Sequence, residues 1–279
     1  VLGQIIWIAS YPKSGNTWLR AFLVTYMTDA QEPVDINKMS ALTTGDSIAR
    51  WFTEIDPRPA TEFSQADLAR LRPQAHARIA ECTADSALVK THNALVQVAG
   101  VPMITRAVTA GVIYLVRNPL DVVLSYADHL GQKVDDVIAL LAEHGFESPA
   151  TDKNVPEHHS DWSSHVASWT EVTHPALHIA RYEDMVSEPL ATFGAIVGFL
   201  GLPPDQDRLS RAIEFSSFKV LRDLEDQTGF VERTPVQKNF FRAGKSGGWR
   251  KQLSAAQVRR VIEVHREQME RFDYVPKGY

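Results

Sequence analysis

Short apolar runs that end in polar residues alternate with amphipathic stretches along most of this chain. QIIWIA at 4–9, ALVKT at 87–91, VIYLV at 112–116 and LHIAR at 177–181 are such runs, the pattern of parallel strands buried on both faces. Helical periodicity fills the intervals, in TWLRAFLVTYM after the first run and then over roughly 64–83, 119–130, 161–173, 183–200 and 254–272. Pro119 sits at a favoured first-turn position and Gly201 follows the last turn of its helix, the asymmetry expected of helix ends. Strands alternating with helices predict an α/β fold: a single-domain parallel β-sheet flanked by helices.

Three segments break the pattern. Residues 28–63 mix polar residues with Pro33, Pro57 and Pro59, and residues 131–160 carry Gly131, Gly145, Pro149, Pro156 and the pair His158-His159. Residues 226–250 are polar and glycine-rich. Long stretches without periodicity predict lids or binding loops beside the ligand edge of the sheet. Without an internal repeat or a low-complexity linker, the chain is expected to form one domain over 1–279, with 28–63 and 131–160 as variable acceptor or lid segments.

Composition narrows the function classes. At 44% hydrophobic and 23% charged residues, the chain has material for a real core and is neither collagenous nor wholly disordered. Lys and Arg total 29 against 34 for Asp and Glu, a net charge of −5, so no global basic field recruits nucleic acid or anionic lipid and any anion site must be local. The one cysteine, Cys82, forms no intrachain disulfide, which points to a reducing compartment and a cytoplasmic protein. GVIYLV at 111–116 is among the longest apolar runs, far below the roughly 20 residues that span a bilayer, so no transmembrane segment is expected. The chain begins at Val1 rather than Met, which leaves room for a trimmed leader upstream.

The chemistry starts at the first strand's carboxyl end. In SYPKSGNTW, Ser10 to Trp18, a loop leads into a helix, and backbone N–H groups at the helix start, the small Ser14 and Gly15, the Thr17 hydroxyl and the Lys13 cation are all able to face a phosphate. Taken alone, the segment also reads as an ordinary turn capped by Ser14 or Asn16. The nucleotide-loop pattern G-x4-G-K-[ST] is absent: at the GKS of 244–246, Asn239 stands where the first glycine belongs. The anion is therefore expected to be a nucleotide phosphate held without that loop. His158-His159 with Asp161 lacks the spacing of a metal site and reads as a solvated lid, and no metal is expected. Glu183-Asp184 and Asp135-Asp136 read as helix-cap or surface acids.

YPKSGNTW at 11–18 resembles the 5′-phosphosulfate loop of the PAPS-dependent sulfotransferases, YPKSGTTW, with Asn16 the one departure. Further segments resemble that superfamily in its own order. YLVRNPLDVVLSY at 114–126 is similar to its 3′-phosphate segment, which assigns Arg117 and Ser125 to that phosphate. VKTHNAL at 89–95 resembles its KTH strand end, carrying Lys90 and His92. SSFKVLRDLE at 216–225 and FFRAGKSGGWRKQLS at 240–254 resemble its adenine and 3′-phosphate segments, bringing in Ser216, Phe218, Phe241, Arg242, Ala243 and Gly244. Ala243 replaces the family's lysine, so one phosphate contact falls to Lys245 or is lost. RYEDM at 181–185 adds Tyr182, and Trp18 belongs near the adenine.

The resemblance implies a P-loop-nucleotide-hydrolase-like sulfotransferase fold, with 226–250 as a C-terminal nucleotide-binding loop. It also implies an EC 2.8.2 enzyme that moves a sulfuryl group from PAPS to a hydroxyl or amine and releases PAP. The acceptor is a small molecule, a glycolipid or a natural product. In that scheme His92 is the general base, Lys13 neutralises the bridging oxygen, Lys90 meets the sulfuryl oxygens, and Ser125 positions Lys13 as well as the 3′-phosphate. Lys13, Ser14, Gly15, Asn16, Thr17 and Trp18 line the nucleotide site, and the scheme needs no metal. Two alternatives stand beside it: an ATP- and magnesium-dependent phosphoryl transferase of nucleotide-kinase type, and a non-catalytic nucleotide-binding module. Trp51, Phe52 and Phe63 in the first excursion either line an acceptor pocket or pack. A homodimer is left open.

Overall fold

The computed structural model describes residues 3–279; Val1, where an upstream leader would join, lies outside the described residues. In chain order the strands are β1 (Gln4–Ser10), β2 (Thr43–Gly45), β3 (Ser86–Thr91), β4 (Gln97–Val98), β5 (Val101–Pro102), β6 (Thr109–Val116) and β7 (Leu177–Arg181). The helices are α1 (Asn16–Met27), α2 (Arg50–Thr53), α3 (Gln65–Glu81), α4 (Pro119–Leu130), α5 (Val134–Leu141), α6 (Trp162–Thr170), α7 (Tyr182–Ser187), α8 (Pro189–Phe199), α9 (Gln206–Phe215), α10 (Phe218–Thr228) and α11 (Ala255–Arg271). Five strands form a parallel sheet flanked by helices, in the order β2-β3-β1-β6-β7, while β4 and β5 pair as a separate ribbon. This is the expected α/β architecture.

Two compact units are drawn from interleaved segments. The first takes the segment up to Tyr11 with Leu42–Tyr114 and Glu143–Ile179; the second takes Pro12–Ala41, Leu115–Ala142 and Ala180–Tyr279.

In the first unit, Ile8 pairs with Lys90 and Ala9 with Thr91, a parallel register that aligns the carboxyl ends of β1 and β3. Trp7 and Ile8 are fully buried, as a strand covered on both faces requires. Helix α3 opens with a capping box in which Ser64 and Asp67 bond each other's backbone N–H groups, satisfying donors the first turn leaves over. It packs His76 edge-on against Trp7, ring centroids 5.0 Å apart.

Within the segment 131–160, expected as a lid, residues 146–160 are instead sewn down. Ser148 N–H donates to the Glu157 carbonyl, Val155 N–H to Ser47, and Ala94 N–H to His158 at 2.7 Å. His159 is 2% exposed, and Asp161 caps α6 through Ser164 N–H.

In the second unit, α1 buries Leu19, Phe22 and Leu23, and Phe22 stacks on Phe193 of α8 at 4.2 Å. Pro119 starts α4 behind an Asn118 cap, as its sequence predicts. The helix expected over 183–200 is two helices, α7 and α8. Glu188, at φ −134° and ψ 57°, leaves the helical region because the ring of Pro189 crowds it. The segment 206–228 forms α9 and α10, and the stretch after Gly131 contains α5.

Candidate functional site

The second unit holds the phosphate-loop residues. Lys13 has φ +68° and Gly15 φ +105°, so the chain turns through left-handed backbone before α1 begins. At Gly15 a Cβ would lie 2.7 Å from Cδ2 of Tyr182, which restricts that position to glycine on two grounds. Gly15 is also the N-cap and offers no side-chain bond to the helix, so neither Ser14 nor Asn16 is the cap of an ordinary turn.

Arg117, at the end of β6, holds this loop. Its Nη1 donates to the Lys13 carbonyl at 2.9 Å, its guanidinium lies 4.0 Å from the ring centroid of Tyr182, and its Nη2 reaches the Lys245 carbonyl at 3.5 Å. The ammonium of Lys13 lies 3.4 Å from His129 Nδ1 and 4.1 Å from the ring centroid of Phe240.

Several buried donors in this unit have no hydrogen-bond partner among the described residues: Ser14 Oγ, Trp18 Nε1 and Arg117 Nε. Leaving such groups unpaired is costly, and a phosphate-bearing nucleotide offers the acceptors they lack. The residues present therefore fit that ligand. Gly244, at φ +57°, lies so close that a Cβ there would enter the ring of Phe218. Trp18 packs edge-on against Tyr182 and Phe193 at 5.7 and 5.6 Å.

Other expected residues are less exposed to a ligand. Ser216 is fully buried and donates its hydroxyl hydrogen to Ala212. Phe241 is buried in a cluster with Val24, Leu221 and Phe230. Arg242 and Ala243 are exposed, and Ser125 is half-buried on α4.

Two residues that sequence reasoning passed over act on this loop. Glu232 accepts from Thr17 Oγ1 at 3.1 Å and from Arg20 Nη1 at 2.7 Å. A carboxylate thus occupies the hydroxyl expected to face phosphate. Asp121 of α4 accepts from the N–H groups of Gly247 and Trp249, tying down the segment after Gly244.

The first unit holds the other expected residues. His92 Nδ1 lies 2.8 Å from the carbonyl oxygen of Ser10. A carbonyl only accepts, so Nδ1 carries the hydrogen and Nε2 is left with the lone pair. Burial, and then the neighbouring Lys90, push this imidazole down to about 3, so it is neutral at physiological pH even though part of the residue reaches solvent.

The backbone beneath His92 is pinned on several sides. His165 Nε2 donates to the His92 carbonyl at 3.1 Å, while His165 Nδ1 is bonded to the Tyr114 hydroxyl at 2.8 Å. Asn93 donates to Asp46, receives the His158 N–H, and offers its carbonyl to Trp169 Nε1. Asp46 is fully buried, and burial raises its carboxyl to about 6. Lys90 is half-buried on β3, where its carbonyl accepts from Asp46 N–H.

Of the aromatics in the first excursion, Phe52 and Trp51 pack, and Phe63 lines a small open pocket with Leu68, Arg72, Val101, Met103 and Pro156. Among the described residues no group of three or more His, Cys, Asp or Glu could hold a metal ion, and no helix is long and apolar enough to cross a membrane.

The sulfotransferase domain family model matches residues 4–273. The chain is 25% identical over 281 residues to cytosolic sulfotransferase 1 of Arabidopsis thaliana, covering 95% of this chain and 78% of that protein. It is 24% identical over 279 residues to flavonol 3-sulfotransferase of Flaveria bidentis, covering 95% and 81%. Among solved structures, retinol dehydratase in a complex with retinol and PAP gives a TM-score of 0.66 at 17% identity, over 97% of this chain and 82% of that one. These structural likenesses are likenesses of fold.

Proposed function

The chain belongs to the sulfotransferase domain family, and from that premise we propose that it is a PAPS-dependent sulfotransferase that sulfates a hydroxyl or amine of a small-molecule or glycolipid acceptor. One observation carries the reading: Arg117 holds the left-handed Lys13 backbone by its carbonyl, next to buried donors that lack partners. Those donors suit the phosphates of PAP and PAPS.

The reaction is an in-line displacement at sulfur. The acceptor oxygen forms a bond to sulfur as the bond to the leaving phosphate oxygen breaks, and the acceptor proton goes to a base. His92 Nε2 is that base, since the Ser10 carbonyl fixes the tautomer that leaves it unprotonated. Lys13 meets the charge that develops on the bridging oxygen, and Lys90 meets the sulfuryl oxygens. Arg117 and Ser125 hold the 3′-phosphate, with Arg242 and Gly244 completing that site; Ser216 and Phe218 are assigned to the adenine side, with Phe241 and Ala243 in the surrounding segments. Positive charge for the transfer comes from side chains and backbone amides. The relatives include proteins named as cytosolic, which supports a cytoplasmic location.

The test is thermal stability with PAP, with ADP, and with ATP plus magnesium, each at about 100 times a plausible Kd, where a true ligand adds about 2.7 kcal/mol. A rise specific to PAP supports the reading; a rise with ATP and magnesium alone overturns it. His92→Ala should keep PAP binding and lose about 10²-fold or more in turnover of labelled PAPS, and wild-type-like kcat would remove His92 from the mechanism.

A further inference from the structure

The small open pocket of the first unit is lined by none of the residues assigned to the nucleotide or to sulfuryl transfer. Phe63 and Leu68 around the start of α3, Val101 and Met103 at β5, and Pro156 give it apolar walls. One lining side chain is of another kind. Arg72 lies one turn beyond Leu68 on α3, the spacing that places two side chains on one helix face. It is 3% exposed. Its guanidinium nevertheless makes no hydrogen bond or ion pair among the described residues, and Nη1 is buried without an acceptor.

Charge and hydrogen bonding part company at this residue. Burial works against the cation, while the carboxylates of Asp46, Glu157 and Glu147 work for it. Those carboxylates bond elsewhere. Asp46 Oδ2 accepts from Thr91 Oγ1 at 3.0 Å and from Asn93 Nδ2 at 2.9 Å, and Glu157 Oε1 accepts from Ser47 Oγ at 3.1 Å. Glu147, itself in the lining, has His158 Nδ1 at 3.0 Å and Gln65 Nε2 at 3.4 Å. Arg72 is therefore compensated in charge and unsatisfied in hydrogen bonds, and a buried donor in that condition selects for a ligand that brings an acceptor. An anionic ligand would join three carboxylates around one cation. A neutral oxygen supplies the acceptor without that repulsion.

We propose that this pocket is a second binding site, for a small neutral molecule or the end of a longer one that carries a carbonyl oxygen on an apolar body, and that Arg72 donates to that oxygen. Ketones and amides belong to the class; carboxylates and plain hydrocarbons do not. Occupancy needs no PAPS, so the site can be read whether or not the sulfotransferase reading holds. The competing occupant is water alone, which predicts no saturable binding.

Methyl NMR on protein labelled at methionine reads the pocket directly: the chain has five methionines, of which Met103 is in the lining, and Met103→Leu identifies its signal. Cyclopentanone, cyclopentanecarboxylate and cyclopentene are each titrated to their solubility limit. Cyclopentanone is expected to shift the Met103 signal saturably and to bind at least about fivefold more tightly than either of the others, the low end of what a charged donor contributes. Arg72→Met should bring its advantage over cyclopentene below about twofold. Ala69→Leu, which fills the pocket from an α3 position in its lining, should abolish the shift while the other methionine signals and the thermal midpoint stay in place. The wild-type titrations decide the matter should Arg72→Met fail to fold. No saturable shift with the ketone would leave water as the occupant and overturn the proposal. Equal or tighter binding of the carboxylate or the hydrocarbon would overturn it too, as would a shift that survives in folded Ala69→Leu.

Discussion

Arg117→Ala separates two jobs that one guanidinium performs. The first is local: Nη1 holds the Lys13 carbonyl at 2.9 Å while Lys13 sits at φ +68°. A non-glycine residue in that region costs about 1–2 kcal/mol, and a hydrogen bond from a charged donor contributes about 1.5–3 kcal/mol against it. Any nucleotide that uses the loop should feel this loss, about tenfold in Kd for the low end of the range. The second job is the 3′-phosphate, which PAP carries and ADP lacks. A charge-assisted bond to it is worth a further ~1.5–3 kcal/mol, or about 10- to 150-fold. The expected result is that ADP weakens about tenfold and PAP at least about 100-fold, so that PAP-over-ADP selectivity falls by at least about tenfold. Arg117→Lys keeps a cation and loses the fork, and should fall between. Calorimetry at one fixed ionic strength reads both ligands, since screening would distort a comparison across salts. Equal losses for PAP and ADP would show that Arg117 acts only as a prop for Lys13, and the 3′-phosphate assignment would go.

Glu232→Gln keeps the shape of the side chain on Thr17 and Arg20 and removes an anion from the phosphate loop; PAP affinity by calorimetry should rise about three- to tenfold, with weaker binding refuting competition. The same variant should lose about 1–2 kcal/mol in urea unfolding, because Arg20 is buried and its ion pair is partly so. Acid should also destabilise the fold. His165, pushed by burial from 6.5 to about 3, is neutral when folded and protonated when unfolded between those values. Its contribution is therefore full above pH 6.5 and falls as pH drops, by about 2 kcal/mol at pH 5. Asp46, raised to about 6, works the opposite way below pH 6 and returns about 1.4 kcal/mol at pH 5; His92 adds a loss of the same sign as His165. Urea midpoints should drop between pH 7.5 and 5, and an unchanged or rising midpoint would mean that these imidazoles are not neutral in the fold. With a base depressed to about 3, kcat/KM should show no acid limb near pH 6.5; a limb there would show that burial does not depress His92 in the working enzyme.

Strands with continuous apolar runs were legible because burial on both faces leaves a mark on every residue, as in β1 and β6. Strand β2 left none: it is three residues long and pairs Thr43–Gly45 with Leu88–Lys90 through backbone groups that any sequence supplies. Helix α5 did carry a signal, Val134, Val137, Ile138 and Leu141 on one face, but it was submerged among the glycines and prolines around it. Pro189 marks the break between α7 and α8 by a local rule, whereas α9 and α10 flank the segment that carries Ser216 and Phe218. At the site, the loop residues and His92 could be named from short motifs. Glu232 could not, since it meets Arg20 across 212 residues of chain and belongs to no motif. His159 was visible as a residue, but its burial depends on backbone bonds from 146–160 to strand ends far away in sequence.

The interleaving of the two units bears on how a ribosome delivers them. The chain passes from one unit to the other after residues 11, 41, 114, 142 and 179, so neither unit emerges as an uninterrupted stretch. The first cannot be assembled until residue 179 has been made, and β1 waits for β3 before it gains a neighbour in its ladder. The second must keep α1 waiting through more than a hundred residues that belong elsewhere, until Phe193 arrives to stack on Phe22. Vectorial synthesis at about 5–20 residues per second thus leaves apolar helix faces uncovered for many seconds, and a nascent chain stalled before α8 would be a target for holdase chaperones rather than a shortened enzyme.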